Sequence, residues 1–265
     1  MTQTLLTQIK DGIATVSLNR PDRKNAMSFE MMTELVETAT TLATTKGLRA
    51  VILTGSDNCF CAGIDLESLM SIAPRMDEVR NQILNPPNGA AANEFQAPIT
   101  IWSTLPVPVI AAIEGVAYGA GAQLALGADF RIAAPDAKLS IMEAKWGLIP
   151  DMGISQSLPR LMRADAAMEL IMTGRVLEAD EALNLGLLTR IADDPLDAAI
   201  TLAQNLITKS PDALAASKKL VNGTWGRGEA GLKLEAQLQA AIIGQPNQME
   251  KVMSVMQKRD PKFSY

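Results

Sequence analysis

Two short apolar runs, Ala50–Leu53 and Val107–Ile113, each end in a turn of small residues that leads toward a helix-forming stretch. Runs of this length and β-branched content read as strands buried in a core. The first turn is Cys59-Phe60-Cys61-Ala62-Gly63-Ile64-Asp65-Leu66, and the second is Gly115-Val116-Ala117-Tyr118-Gly119-Ala120-Gly121-Ala122. Small side chains let a ligand come close to the backbone, and the start of a helix leaves N–H groups without intrahelical partners. Two such groups converging on one point would hold an enolate-like oxygen. Taken singly, either turn is equally well explained by tight packing.

The rest of the chain sets these turns in an alternating framework. Leu5–Lys10 and Ile13–Leu18 are β-type runs joined at Asp11-Gly12, a hairpin signal. Ser28 is placed to cap a helix in which Phe29, Met32, Leu35, Val36, Ala39 and Leu42 recur at helical spacing. Residues 67–100 carry Pro74, Pro86, Pro87, Asn88-Gly89 and Pro98 and read as a mobile helical insertion. A helix is expected over Ala122–Leu126, and strands over Phe130–Ala133 and Lys138–Ile141. From Met152 onward the pattern is helical, with one short strand at Leu187–Ile191. Strands alternating with helices up to about residue 150, then a helical tail, predict an α/β fold with a C-terminal helical subdomain.

Composition narrows the chemistry. The 265 residues carry 24 basic and 29 acidic side chains, net −5, so no general basic surface invites nucleic acid or anionic lipid. The longest apolar runs fall well short of the roughly 20 residues that cross a bilayer. The first residues show no signal-peptide pattern. The two cysteines, Cys59 and Cys61, are poorly spaced for bonding to each other, which predicts free thiols and a cytoplasmic location. Histidine is absent. That removes Ser-His triads, Cys-His pairs and His-based metal sites, and leaves acid–base work to carboxylates, Lys, Tyr or Cys.

The two turns in this order resemble the crotonase (enoyl-CoA hydratase/isomerase) superfamily. Asn19-Arg20-Pro21, Lys24-Asn25-Ala26, Val109–Gly115, Asp129-Phe130-Arg131-Ile132-Ala133, Gly147-Leu148-Ile149-Pro150 and Lys258–Phe263 extend the resemblance along nearly the whole chain. It implies a spiral of ββα turns over residues 1–195 and a C-terminal helical trimerisation region over 196–265, assembled as a homotrimer or a dimer of trimers. It also implies an acyl-CoA substrate, in which CoA is part of the substrate rather than a separate cofactor.

Carried over position by position, the family's oxyanion donors fall on the N–H groups of Ile64 and Ala120. Lys24, Ala26, Ala62, Asp65 and Leu66 correspond to the CoA cradle; the alternative for Lys24 is a solvated surface lysine. Of the two glutamates that face each other in family hydratases, one position is Gln123 and the other Glu143. Glutamine can hold a water but cannot exchange a proton at neutral pH. Apolar neighbours around Glu143 are expected to raise its pKa, the alternative being a surface ion pair. Asp151 matches the second carboxylate of dienoyl-CoA isomerases, the alternative being a cap for a helix over Met152–Leu161. The residues thus fit neither the full hydratase nor the full isomerase pattern. A non-catalytic acyl-CoA-binding scaffold is the reading from another class.

Overall fold

A computed structural model of the chain describes residues 3–225, 229–259 and 262. The hairpin expected at Asp11-Gly12 joins β1 (Leu5–Lys10) to β2 (Ile13–Leu18), and both turn residues adopt positive φ. Helix α1 (Phe29–Thr44) follows, capped by Ser28, whose side chain accepts the Met31 N–H. After β3 (Ala50–Gly55), the proline-rich stretch forms α2 (Leu66–Ser71), α3 (Met76–Leu84) and α4 (Ala97–Thr104). Then come β4 (Val109–Ile113), β5 (Val116–Tyr118), α5 (Ala120–Gly127), β6 (Phe130–Ala133) and β7 (Lys138–Ser140). The remainder is α6 (Ile154–Ser157), α7 (Ala164–Thr173), β8 (Leu177–Glu178), α8 (Ala179–Asn184), β9 (Arg190–Ile191) and α9 (Pro195–Ile207). Three further helices close it: α10 (Pro211–Trp225), α11 (Glu229–Ile242) and α12 (Pro246–Met256).

From β4 onward the chain passes back and forth between two sheets. The larger runs β1-β2-β3-β4-β6-β9, parallel except for the hairpin, and the smaller runs β5-β7-β8. Single bridges tie the first turn to the same path, Cys61 to Ala117 and Ile64 to Met27. Each winding therefore gives one strand to the large sheet and a shorter segment to the other, which is the spiral the family resemblance implied.

Side-chain alternation along the central strands sets the core. Ala50, Ile52, Ile110, Ala112 and Ile132 pack with Ala199 and Ala203 of α9 on one face of the large sheet. Val51, Leu53, Val109, Ala111 and Ile113 point to the other face, where α1, α4 and α5 supply Leu35, Trp102 and Leu124.

Several boundaries differ from the sequence expectations. β4 begins at Val109 rather than Val107, because Pro108 has no N–H to give a ladder. α5 starts at Ala120, two residues early, since Gly119 takes φ 49° and turns the chain before it. The expected strand over 187–191 shortens to Arg190–Ile191, and the short strand β8 lay inside a stretch read as helical. In place of a helix over Met152–Leu161 there is α6, with Gly153 as its N-cap residue, then a 3-10 turn over Leu158–Arg160.

An ion pair fastens α10 to this core. Lys218 Nζ lies 2.8 Å from Asp129 Oδ2 and donates to the carbonyls of Trp102 and Val107 at 3.0 Å each. The same carboxylate oxygen accepts the Val109 N–H at 2.8 Å. Burial pushes the Asp129 carboxyl up and the Lys218 ammonium down, and their mutual attraction opposes both shifts. Breaking such a pair strands a buried charge, whereas removing both charges does not. Lys218→Met is expected to cost about 3–5 kcal/mol in urea unfolding. The double variant Asp129→Asn/Lys218→Met should recover most of that loss.

Candidate active site

The two turns meet at one cavity of about 380 Å³, and Gly63, Ile64, Gly119, Ala120, Gln123, Glu143 and Asp151 all line it. Their approach is enforced by the backbone. Cys61 N–H donates to the Val116 carbonyl at 2.9 Å, and the Cys61 carbonyl accepts the Tyr118 N–H at 3.0 Å. Gly121 packs directly on Cys61: a Cβ there would lie 2.5 Å from the Cys61 carbonyl oxygen, so no larger residue fits.

The bridge to Met27 orients the first turn. Met27 N–H donates to the Gly63 carbonyl at 2.7 Å, and Asp65 N–H donates to the Met27 carbonyl at 2.9 Å. Ile64 lies between these bonds, so its own N–H faces the opposite side. On the second turn Gly119 is the N-cap residue of α5 and Ala120 its first helical residue. Among the described residues, neither the Ile64 nor the Ala120 N–H donates to a backbone carbonyl. Two backbone donors on one cavity wall can stabilise a developing oxyanion.

Beside them lies a fixed pair of side chains. The Met152 N–H donates to Gln123 Oε1 at 2.9 Å, and Gln123 Nε2 donates to Glu143 Oε1 at 2.7 Å. A backbone N–H can only donate, so the Gln123 oxygen must face Met152 and its NH2 must face the carboxylate. Gln123 therefore holds Glu143 in one orientation. A Cβ at Gly119 would only touch this carboxylate oxygen, at 3.4 Å; glycine is favoured there by its positive φ of 49°.

The family model described as Enoyl-CoA hydratase/isomerase matches residues 8–265. The chain belongs to that family. It is 34% identical over 268 residues to 1,2-epoxyphenylacetyl-CoA isomerase of Escherichia coli (strain K12), spanning 100% of this chain and 99% of the other. It is 31% identical to the mitochondrial methylglutaconyl-CoA hydratase of Homo sapiens, across 95% of this chain and 74% of that one. The crystal structure of an enoyl-CoA hydratase from Bacillus anthracis superposes with a TM-score of 0.76 at 32% identity, covering 98% of this chain and 99% of that one. These are enzymes of acyl-CoA thioesters, and this chain is an enzyme of the same family.

Most residues expected in the crotonase CoA cradle are on the cavity wall: Ala26, Ala62, Asp65 and Leu66. Lys24 is not. It is exposed, takes φ 48°, and serves through its carbonyl, which accepts the Ala62 N–H at 3.0 Å. The cation on the wall is its neighbour Arg23, 3.1 Å from Glu67. Nothing in the local sequence separated these adjacent cations; the left-handed turn at Lys24 does. Sequence reading also did not single out the apolar wall of Phe29, Ile72, Val79, Ile83 and Phe95, all but Phe29 of which lie in the stretch read as a helical insertion.

Asp65 has a structural task. It caps α2 by accepting the Ser68 N–H at 3.0 Å and pairs with Arg20 at 2.9 Å. Burial alone would push its carboxyl up; the Ser68 N–H and the Arg20 guanidinium outweigh that and hold it below its ordinary value. Cys61 is fully buried and its thiol is pushed up to about 12 by burial, so it takes no part as a nucleophile.

Two outcomes follow for this site. Proline is tolerated at the first helical position, where the N–H has no intrahelical role. Ala120→Pro should therefore leave thermal stability close to wild type while turnover drops about a hundredfold or more, as one oxyanion donor is lost. Ala120→Gly, which keeps the N–H, should stay near wild type, and steady-state kinetics separates the two. For Asp65, the folded carboxyl titrates below the ordinary 3.8, so its contribution is complete above that pH and fades as pH falls beneath it. The difference in Tm between wild type and Asp65→Asn should be largest near neutrality and shrink below about pH 4.

Proposed function

We propose that this enzyme moves a double bond along the acyl chain of an unsaturated acyl-CoA thioester by proton transfer, with Glu143 as the proton-transfer group. The observation that carries this reading is the commitment of Gln123. Its oxygen is taken by the Met152 N–H and its amide group by Glu143. It is thus a positioning residue and not a second acid–base group. That leaves Glu143 and Asp151 as the cavity carboxylates on the walls adjoining α5 and α6.

The steps balance without a co-reactant. Glu143 removes a proton from the carbon beside the thioester carbonyl, and the electron pair moves onto the carbonyl oxygen. The N–H groups of Ile64 and Ala120 hold that oxygen. Asp151, as the acid, delivers a proton to the γ-carbon, the double bond shifts, and a proton passes from Glu143 back to Asp151 to reset the pair. Arg23, Ala26, Ala62, Asp65 and Leu66 form the part of the wall against which the CoA portion lies. A second reading is hydration, with Glu143 orienting a water; relatives that are hydratases favour it, and the glutamine at 123 speaks against it. We also place the chain in a homotrimer or a dimer of trimers, an assembly suited to the exposed Leu220 and Val221 of α10, and in the cytoplasm.

Ultraviolet absorbance of the thioester distinguishes the readings. A β,γ-unsaturated acyl-CoA should gain the conjugated enoyl band, whereas crotonyl-CoA should keep its band. Loss of the crotonyl band would instead mean hydration, and no change with any acyl-CoA would mean a binding scaffold. Glu143→Gln keeps the size and polarity of the side chain, so thioester binding should persist while turnover falls by roughly 10²–10⁴. Asp151→Asn should be nearly as harmful in an isomerase and much milder in a hydratase. Full activity in Glu143→Gln would overturn the mechanism.

A further inference from the structure

A second cavity of about 380 Å³ is walled by β6, the turn after α6 and helix α10, and shares no lining residue with the active-site cavity. Its charged side chains are three cations, Arg131, Arg160 and Lys218, and one carboxylate, Asp129. That carboxylate is already committed to Lys218 and to the Val109 N–H. Arg131, 5% exposed, donates through Nε to the Leu187 carbonyl and through Nη1 to the Ala128 carbonyl, both at 2.7 Å. Arg160 donates through Nη1 to Asn222 Oδ1. Among the described residues neither guanidinium has an ion-pair partner, and Nη2 of each meets no acceptor. Those two nitrogens are not shut off from solvent, so a ligand can reach them. Burial pushes the Arg131 guanidinium down to about 10; Asp129 opposes this and the Arg160 charge adds to it. Neutral side chains could serve the two carbonyls and the Asn222 amide, so bonding within the chain does not account for two guanidiniums without a counterion. An anion that enters the cavity does.

We propose that this cavity binds a small carboxylic acid with an apolar body, its carboxylate held by Arg131 and Arg160. The inference is independent of the acyl-CoA reading above. A carboxylate brings two acceptor oxygens to the two free guanidinium donors, and such charge-assisted bonds are among the stronger ones a protein makes. Lys218 adds charge but no donor, since its ammonium is spent on Asp129 and on the carbonyls of Trp102 and Val107. The remaining wall selects the body of the ligand. Phe130, Leu161, Leu206 and Leu214 are half-buried there, and an aliphatic or aromatic chain would take their surface out of water. Inorganic phosphate would meet the same guanidiniums but leave that apolar surface uncovered.

The test is calorimetric titration of the intact protein with hexanoate, alongside hexanol and inorganic phosphate, which each carry one half of the ligand's chemistry. Wild type should bind hexanoate about tenfold tighter than either. Arg160→Gln should weaken hexanoate about tenfold or more, while acyl-CoA turnover without hexanoate and the mass by light scattering stay those of wild type. Leu214→Trp fills the apolar part and keeps both guanidiniums, so it too should weaken hexanoate, and it serves alone if Arg160→Gln does not fold. No binding by wild type, phosphate or hexanol binding as tightly as hexanoate, or a hexanoate affinity unchanged in either variant would overturn the proposal. So would a fall in assembly size in Arg160→Gln, since the guanidiniums would then be meeting a carboxylate of a second copy of the chain.

Discussion

The contact between Cys61 and Gly121 is the joint on which the site depends. Cys61 is bonded through both its N–H and its carbonyl to the strand that precedes α5, and Gly121 closes on it with no space for a Cβ. Ile64 follows Cys61 by three residues, and Ala120 immediately precedes Gly121. The two donor N–H groups are thus positioned by backbone packed on backbone, in a core where Cys61, Phe60 and Ala117 are fully buried. Side-chain flexibility does not enter. A site whose chemistry depends on the position of one developing charge gains from donors that cannot move away from it.

Around that joint the cavity has two unlike sides. The side built by the spiral is polar and fixed: two backbone donors, a glutamine with its amide spoken for, and two carboxylates. The facing side comes from elements laid over the spiral, α2, α3 and α11, with Phe29 and Phe95 in an edge-to-face contact at 6.2 Å between ring centres. On the proposed function, the first side would set the reaction type and the second the acyl preference. Helix α11 reaches over α3, and Arg80 of α3 donates to the Ile243 carbonyl at 2.7 Å, so the chain's late helices help to shape the substrate chamber. The buried polar pair of Gln96 and the Leu232 carbonyl, 2.9 Å apart, fastens α11 at its other end.

The parts of this arrangement that were legible in the sequence are those governed by local rules. Asp11-Gly12, Ser28 and the central apolar runs each announced a turn, a cap or a buried strand through the conformational preferences of the residues themselves. The small-residue turns announced close backbone approach, and the family resemblance placed Ile64, Ala120, Gln123 and Glu143, which the structure gathers on one cavity. What stayed hidden depends on partners far apart in sequence. Whether Arg23 or Lys24 faces the cavity is decided by a left-handed residue that packs against Ala62. The start of α6 is set by Gly153, whose turn no periodicity marks. The register of β8 and β9, each two residues long, lies below what alternation can signal.

The exchange of a glutamate for Gln123 has a consequence that reaches beyond the loss of one acid. With a carboxylate at position 123, two acidic groups would stand at the 2.7 Å now spanned by the amide and Glu143, and like charges at that distance cannot both ionise. They would have to share a proton and titrate as a pair. A neutral amide removes that coupling. It accepts from Met152, donates to Glu143, and leaves the carboxylate to act alone with a fixed orientation. The second ionisable group is then Asp151, which the chain supplies from the segment leading into α6 rather than from α5 itself. Moving the second group from α5 to that segment changes which carbon of a bound acyl chain it can reach. On the function proposed above, one buried amide in place of an acid would favour moving a double bond over adding water across it.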